Sequence, residues 1–209
     1  MSPADSDRAG LGALAAGVRA LPPSCGPVRL VAVDGHAGSG KSTFAARFAD
    51  ALGGAPVLHL DDLATHDEPF GWTGRLRTQV LDRFARGEAA EYRPYDWDAR
   101  RFGPPRRLPP APVVLVEGVG AGRRAVRPHL ARLLWMDRAP EDSWLRGRLR
   151  DGPAQSAFWD GWTVAEIRHF ARDPSLPFAH FLVRECREGY VWLPGRRPNA
   201  EAEPAPHAP

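Results

Sequence analysis

Residues 33–43 read VDGHAGSGKST, and this stretch decides how the rest of the chain is read. It fits the spacing G-x-x-x-x-G-K-[ST], with Gly35, Gly40, Lys41 and Ser42 at the fixed positions. The apolar, β-branched run VRLVAVD (28–34) precedes it. TFAARFADAL (43–52) follows with helical spacing until Gly53 and Gly54 stop it. A strand, a glycine turn and a helix start in that order form an anion cradle. The glycines let the backbone turn successive N–H groups inward, and the helix adds its positive end. Gly35, His36, Ala37, Gly38, Ser39, Gly40, Lys41, Ser42 and Thr43 are therefore expected to wrap the phosphates of a nucleotide, with the Ser42 hydroxyl a ligand for Mg²⁺.

Lys41 is the only lysine in the chain; all the other basic side chains are arginine. A lysine ammonium is a compact charge on a flexible stem and reaches between phosphates, whereas the planar guanidinium fork is too broad for that slot. Motif, context and lone lysine together disfavour a chance glycine turn in an unrelated α/β protein.

The chain has 209 residues, 43% of them hydrophobic, enough for one α/β domain and too few for two. Basic residues number 28 against 25 acidic, a net charge of +3, without a long basic run. Nucleic acid is therefore not the expected partner. Cys25 and Cys186 give neither metal spacing nor a disulfide framework, which suits a reducing cytoplasm. No apolar run reaches the ~18 residues of a membrane helix, and the first residues lack a signal-peptide pattern, so no membrane is expected.

Outward from the loop, residues 1–27 read as an N-terminal extension with a helix over 8–21. Residues 28–195 read as the main domain, and 196–209 as a tail disordered by composition. Further strands are expected at 55–62, 113–120 and 132–137, with weaker candidates at 181–183 and 190–194. Helices are expected at 75–87, 141–150 and 160–172, and the proline-rich segment 91–110 as irregular. Continuous apolar strands alternating with helices predict a three-layer α/β fold with a parallel sheet of about five strands.

Two acids follow the second strand (Asp61 and Asp62), and Glu117 ends the third. Strand ends of this kind face the ligand crevice of an open α/β sheet. An aspartate there can orient and deprotonate a hydroxyl, and a glutamate beside the phosphate loop can hold Mg²⁺. Solvation or capping is the alternative for the two aspartates, and a structural acid at a strand end is the alternative for Glu117. In SWLRGRLRD (143–151) Arg146 and Arg150 share a helix face and can neutralise a transferring phosphoryl group. Between the strands, Tyr95, Asp96 and Trp97 suit a polar small molecule, Asp96 being the leading group for an acceptor hydroxyl and turn formation its alternative. Trp159 and Trp162 read as packing for their helix.

GHAGSGKS, LDD, YRPYDW, LVEGVGA and LRGRLRD occur in that order, and with them the chain resembles the uridine kinase and phosphoribulokinase-like family of P-loop kinases. The resemblance implies a P-loop NTPase fold with an arginine-bearing helical lid. It also implies Asp61 as catalytic base, Glu117 assisting Mg²⁺, and Arg146 and Arg150 in the lid with Arg148 beside them. Leu63 and Ala64 stand where the family has an aromatic pair, and YRPYDWDARRFG replaces a longer hairpin, so the acceptor pocket, Asp62 included, is expected to be rebuilt. The implied activity is transfer of the γ-phosphoryl group of ATP to a hydroxyl of a small molecule, a uridine-like nucleoside first. A kinase of another hydroxylated metabolite and a regulatory nucleotide-binding protein stay open, as does homo-oligomerisation.

Lys41→Arg should lower turnover by orders of magnitude in a folded protein, because a charge partner of the transition state is worth about 3 kcal/mol or more and geometry matters as much as charge. Full turnover of Lys41→Arg at saturating ATP would refute this account of the lone lysine.

Overall fold

The computed structural model describes residues 3–195, so the expected tail at 196–209 lies outside the described residues. Helix α1 (Pro3–Arg19) leads to β1 (Arg29–Asp34), the phosphate loop, α2 (Lys41–Ala51) and β2 (Val57–His59). A 3₁₀ turn, Leu60–Asp62, follows β2. Then comes a helical stretch built from α3 (Thr73–Leu76), a π-helical turn (Arg77–Leu81) and α4 (Asp82–Ala85). The short strands β3 (Ala90–Tyr92), β4 (Tyr95–Asp96), β5 (Arg101–Phe102) and β6 (Arg106–Leu108) come next, and then β7 (Val113–Glu117) and β8 (Leu130–Met136). Helices α5 (Pro140–Asp151) and α6 (Ser156–Arg172) and strands β9 (Phe181–Cys186) and β10 (Gly189–Pro194) complete the fold.

The main sheet has six strands in the order β10-β9-β8-β1-β7-β2. Every neighbouring pair is parallel except the β9/β10 hairpin, which adds an antiparallel edge to the expected parallel sheet. β7 is buried along its whole length, as a strand covered on both faces must be. Alternate side chains go to opposite faces. Leu30, Ala32, Val114 and Val116 join Trp72, Leu76 and Phe84 on one side. Val31, Val33, Val113 and Leu115 join Phe44 and Phe48 of α2 on the other. Leu11, Leu14, Ala15 and Val18, at helical spacing, bring α1 into that second core. The N-terminal helix is thus part of the domain's packing.

Two expectations need correction. The second strand stops at His59, and the LDD segment tightens into the 3₁₀ turn, which turns Asp61 and Asp62 off the sheet. The segment expected to be irregular holds two nested antiparallel pairs, β3 with β6 and β4 with β5. Each strand there has only two or three residues, too few for any alternation to register in the sequence. Among the described residues no helix is long and apolar enough to cross a membrane.

Because β1, β7 and β2 run parallel, the phosphate loop, Glu117 and the 3₁₀ turn collect at one end of the sheet, beside the point where the strand order reverses about β1. Helices α5 and α6 cover that end. Their contact depends on Gly147, where a Cβ would come within 2.2 Å of the buried Trp159 ring. Gly147→Ala should therefore destabilise the protein by about 1–3 kcal/mol. A thermal melt should fall by several degrees, and an unchanged melting temperature would show that the helices have room to separate.

Candidate active site

The phosphate loop keeps its shape through glycines with positive φ: 144° at Gly35, 83° at Gly38 and 97° at Gly40. Gly38 is also a point of close approach, since a Cβ there would meet the Ser143 carbonyl oxygen of α5 at 2.0 Å. Lys41 is only 8% exposed, and its ammonium donates to the His36 carbonyl oxygen at 2.9 Å, folding back across the loop. At the loop's start, the fully buried Asp34 carboxylate accepts the N–H groups of Gly35 at 2.7 Å and of Gly120 and Gly122 at 2.8 Å each. Burial raises the Asp34 pKa even so, with these bonds pulling the other way.

Ser42 and Glu117 meet directly, the hydroxyl donating to Glu117 Oε1 at 3.0 Å. His59 Nδ1 lies 2.6 Å from the same oxygen. Burial works to raise the Glu117 pKa, but the His59 hydrogen bond, the Lys41 charge and the Ser42 hydroxyl outweigh it and hold the carboxyl below its usual range. A hydroxyl and an ionised carboxylate side by side are a hard, oxygen-only donor pair that fits Mg²⁺. Among the described residues no cluster of three or more His, Cys, Asp or Glu side chains could hold a metal by itself.

Asp61 joins Lys41, Ser42, Glu117 and Arg150 around one cavity of about 240 Å³. Its carboxylate is reachable from the open cavity, and no hydrogen bond or ion pair engages it among the described residues. The protein crowded around it, and next the negative charge of Glu117, raise its pKa above the ordinary carboxylate value, against the pull of Lys41 and His59. An adjoining cavity of about 300 Å³ shares Lys41, Ser42 and Arg150 and adds Gly40, Thr43 and Arg146. Phosphate loop, candidate base, candidate metal ligands and both arginines thus come together in space.

The other candidates are placed differently. Asp62 accepts the Tyr92 hydroxyl at 3.3 Å and pairs with Arg106 at 3.8 Å, tying the β3/β6 pair to the 3₁₀ turn. Asp96 accepts the N–H groups of Asp98 at 3.1 Å and Ala99 at 2.8 Å. In this structure it forms a turn, and it is not among the residues that line the cavity. Tyr95 faces His66, its hydroxyl 3.1 Å from Nδ1, and packs on Trp97. Trp97 lines the cavity and donates its indole N–H to the Asp61 carbonyl oxygen at 3.2 Å. Arg146 is paired with Glu185 at 2.8 Å, and Arg150 with Asp151 at 2.6 Å. Trp162, expected to pack its helix down, lines the cavity together with Phe158, on which it stacks.

Sequence reasoning missed Glu166. Its carboxylate is fully buried and meets four donors: His36 Nδ1 at 2.6 Å, the Ala37 N–H at 3.1 Å, and the indole N–H groups of Trp144 at 3.0 Å and Trp162 at 2.8 Å. Burial opposes its charge, but His36 and the Ala37 amide prevail and hold its pKa below the usual value. A signal was present: Trp159, Trp162, Glu166 and Phe170 follow the helical period, so an acid sits on the stripe that turns inward.

No family model matches this chain, and no curated protein matches it significantly. Solved structures do. A possible uridine kinase from Bacillus stearothermophilus is similar with a TM-score of 0.55 at 16% identity, over 79% of this chain and 95% of that one. A candidate fructose transport system kinase from Silicibacter sp. TM1040 is similar with a TM-score of 0.55 at 21% identity, over 79% of this chain and 89% of that one. At such identities the likeness establishes the fold, and the chain adopts the mostly parallel α/β architecture of these P-loop kinases.

The Ser42–Glu117 pair predicts that Glu117→Gln raises the Mg²⁺ concentration needed for half-maximal nucleotide binding, because a neutral amide is the weaker ligand for a hard cation. A Mg²⁺ titration that superimposes on that of the unaltered protein would reduce Glu117 to a structural acid.

Proposed function

We propose that the protein is an ATP-dependent kinase that transfers the γ-phosphoryl group to a hydroxyl of a small molecule. The observation that carries this reading is Asp61: an unengaged carboxylate in the same cavity as the loop lysine and the Ser42–Glu117 pair. A nucleotide switch has no use for a free acid there, nor for the ring-lined space beside it.

In this reading the loop N–H groups and Lys41 hold the phosphate chain, Lys41 leaving the His36 carbonyl to do so. Ser42 and Glu117 hold Mg²⁺, which when bound neutralises charge on the phosphate oxygens. Asp61 orients the acceptor hydroxyl and takes its proton as the new oxygen–phosphorus bond forms and the bond to the β-phosphate oxygen breaks, leaving ADP. Its raised pKa favours that role. Arg146 and Arg150 stand on α5 at the rim of the phosphate cavity. Both sit in ion pairs that a more highly charged phosphoryl group can replace, so α5 acts as the lid.

Trp97, Phe158 and Trp162 give the acceptor side flat apolar walls. They suit a hydroxylated molecule with one apolar face, whether a nucleoside or another metabolite. The uridine and fructose named for the two similar structures span that choice. Leu63 and Ala64 are buried in the core, so the position of the family's aromatic pair does not reach the cavity. This favours an acceptor other than uridine.

ADP release measured with ATP alone, and with ATP plus a panel of nucleosides, sugars and vitamin alcohols, tests the proposal. Stimulation by at least one acceptor is expected, uridine being a weak one. A slow rate indifferent to every acceptor would favour the regulatory reading. Asp61→Asn should cut kcat by ~10²-fold or more while nucleotide binding persists. Asp62→Asn should be milder, since Asp62 is occupied by Tyr92 and Arg106. The reverse order would overturn Asp61 as the base.

A further inference from the structure

We propose that Glu166 is a positioning residue that couples the phosphate loop to the acceptor side of the site, so that nucleotide binding at the loop orders the ring-bearing wall of α6. The inference rests on the kinase reading above for what the two sides bind.

The four donors are divided between the two carboxylate oxygens in a particular way. Oε1 meets His36 Nδ1 and the Trp144 indole. Oε2 meets the Ala37 N–H and the Trp162 indole. Each oxygen therefore joins one phosphate-loop donor to one tryptophan, on α5 in the first case and on α6 in the second. Trp162 lines the cavity that holds Asp61. Trp144 is on the helix that carries Arg146 and Arg150, and its tie fixes how that helix is turned. The His36 ring is packed edge-on against Trp135, Trp144 and Phe170 at centroid distances of 5.2–5.9 Å, so it has no slack to absorb a shift of the loop.

The relay also has a starting event. Lys41 bonds the carbonyl of His36, the residue whose side chain bonds Glu166. When phosphates draw the lysine away, the His36 carbonyl loses one of two partners and keeps the Ser39 N–H, and the resulting shift reaches Glu166 through one side chain. A buried carboxylate is a costly way to fill space, since apolar groups of similar volume often serve as well or better. One that joins three elements through four hydrogen bonds has a use that an apolar residue cannot supply, because each bond is directional. The carboxylate ties loop, α5 and α6 to one another, so that a change at the loop is passed to both helices.

The test is hydrogen exchange followed by mass spectrometry on the full chain, with Mg·ADP as the probe, chosen because it lacks the γ-phosphoryl group that is transferred. In the unaltered protein Mg·ADP should slow exchange in the phosphate loop and also in the first half of α6, the latter by about fivefold or more. In Glu166→Gln, where one oxygen becomes a donor facing donors, loop protection should persist and the α6 response should be lost. An α6 response that survives in a folded Glu166→Gln protein overturns the proposal, as does an unaltered protein whose loop is protected while α6 is indifferent. If Glu166→Gln fails to fold, Trp162→Phe is read by the same criterion. It keeps a ring in place and leaves Glu166 its other three donors. Absence of loop protection in the unaltered protein would instead overturn the nucleotide reading on which the proposal rests.

Discussion

A loop that offers N–H groups to an anion can spend few of them on itself; here the Ser39 N–H closes on the His36 carbonyl oxygen at 3.0 Å, and the rest of the shape has to be held from outside. In this protein two buried carboxylates do that. Asp34 fastens the beginning of the loop to the turn after β7 through the N–H groups of Gly35, Gly120 and Gly122. Glu166 fastens His36 and Ala37 to the helices above. The first tie keeps the loop in register with the strand that ends in Glu117, and so with the candidate metal ligand. The second keeps it in register with the arginines and the aromatic wall. The rest of the fold serves to bring these anchors to one end of the sheet.

Charge is arranged there with little surplus. Lys41 is nearly buried, and it lies among Asp61, Glu117 and a backbone carbonyl. The two carboxylates are pushed in opposite directions by their surroundings. Glu117 is surrounded by donors and stays ionised, whereas Asp61 faces Glu117 and, among the described residues, meets no hydrogen-bond donor. Two acids of one cavity thereby differ in their preference for charge, which is what the proposed division into a cation ligand and a proton acceptor needs. Arg146 and Arg150 rest in ion pairs at the rim. These pairs are exposed, so exchanging them for a phosphate partner costs little.

The aromatic side of the cavity is built from elements that share no contiguous sequence. Trp97 comes from the small β-pairs after α4, and Phe158 and Trp162 come from the first two turns of α6. Trp97 is fixed by its bond to the Asp61 carbonyl oxygen, Trp162 by Glu166. The walls of the cavity are thus tied to its chemical groups.

The sequence by itself determined the phosphate loop, the strands flanking it and the burial of the sheet. Glycine spacing, a lone lysine and unbroken β-branched runs are local signals, and each is set by residues a few positions apart. It also brought Asp61, Glu117, Arg146 and Arg150 forward as candidates, although only the fold puts them around one space. The tertiary structure decided what depends on partners far along the chain. Asp96 and Asp62 carry the same side chain as Asp61, yet one caps a turn and the other meets Tyr92 and Arg106. The small β-pairs escaped notice because strands of two or three residues leave no period. Glu166 left a trace, an acid on an inward helical stripe, but its four partners lie on the loop, on α5 and on its own helix. A pattern of residue types records which way a side chain faces. What it meets there is fixed by the packing of elements that the sequence keeps more than a hundred residues apart.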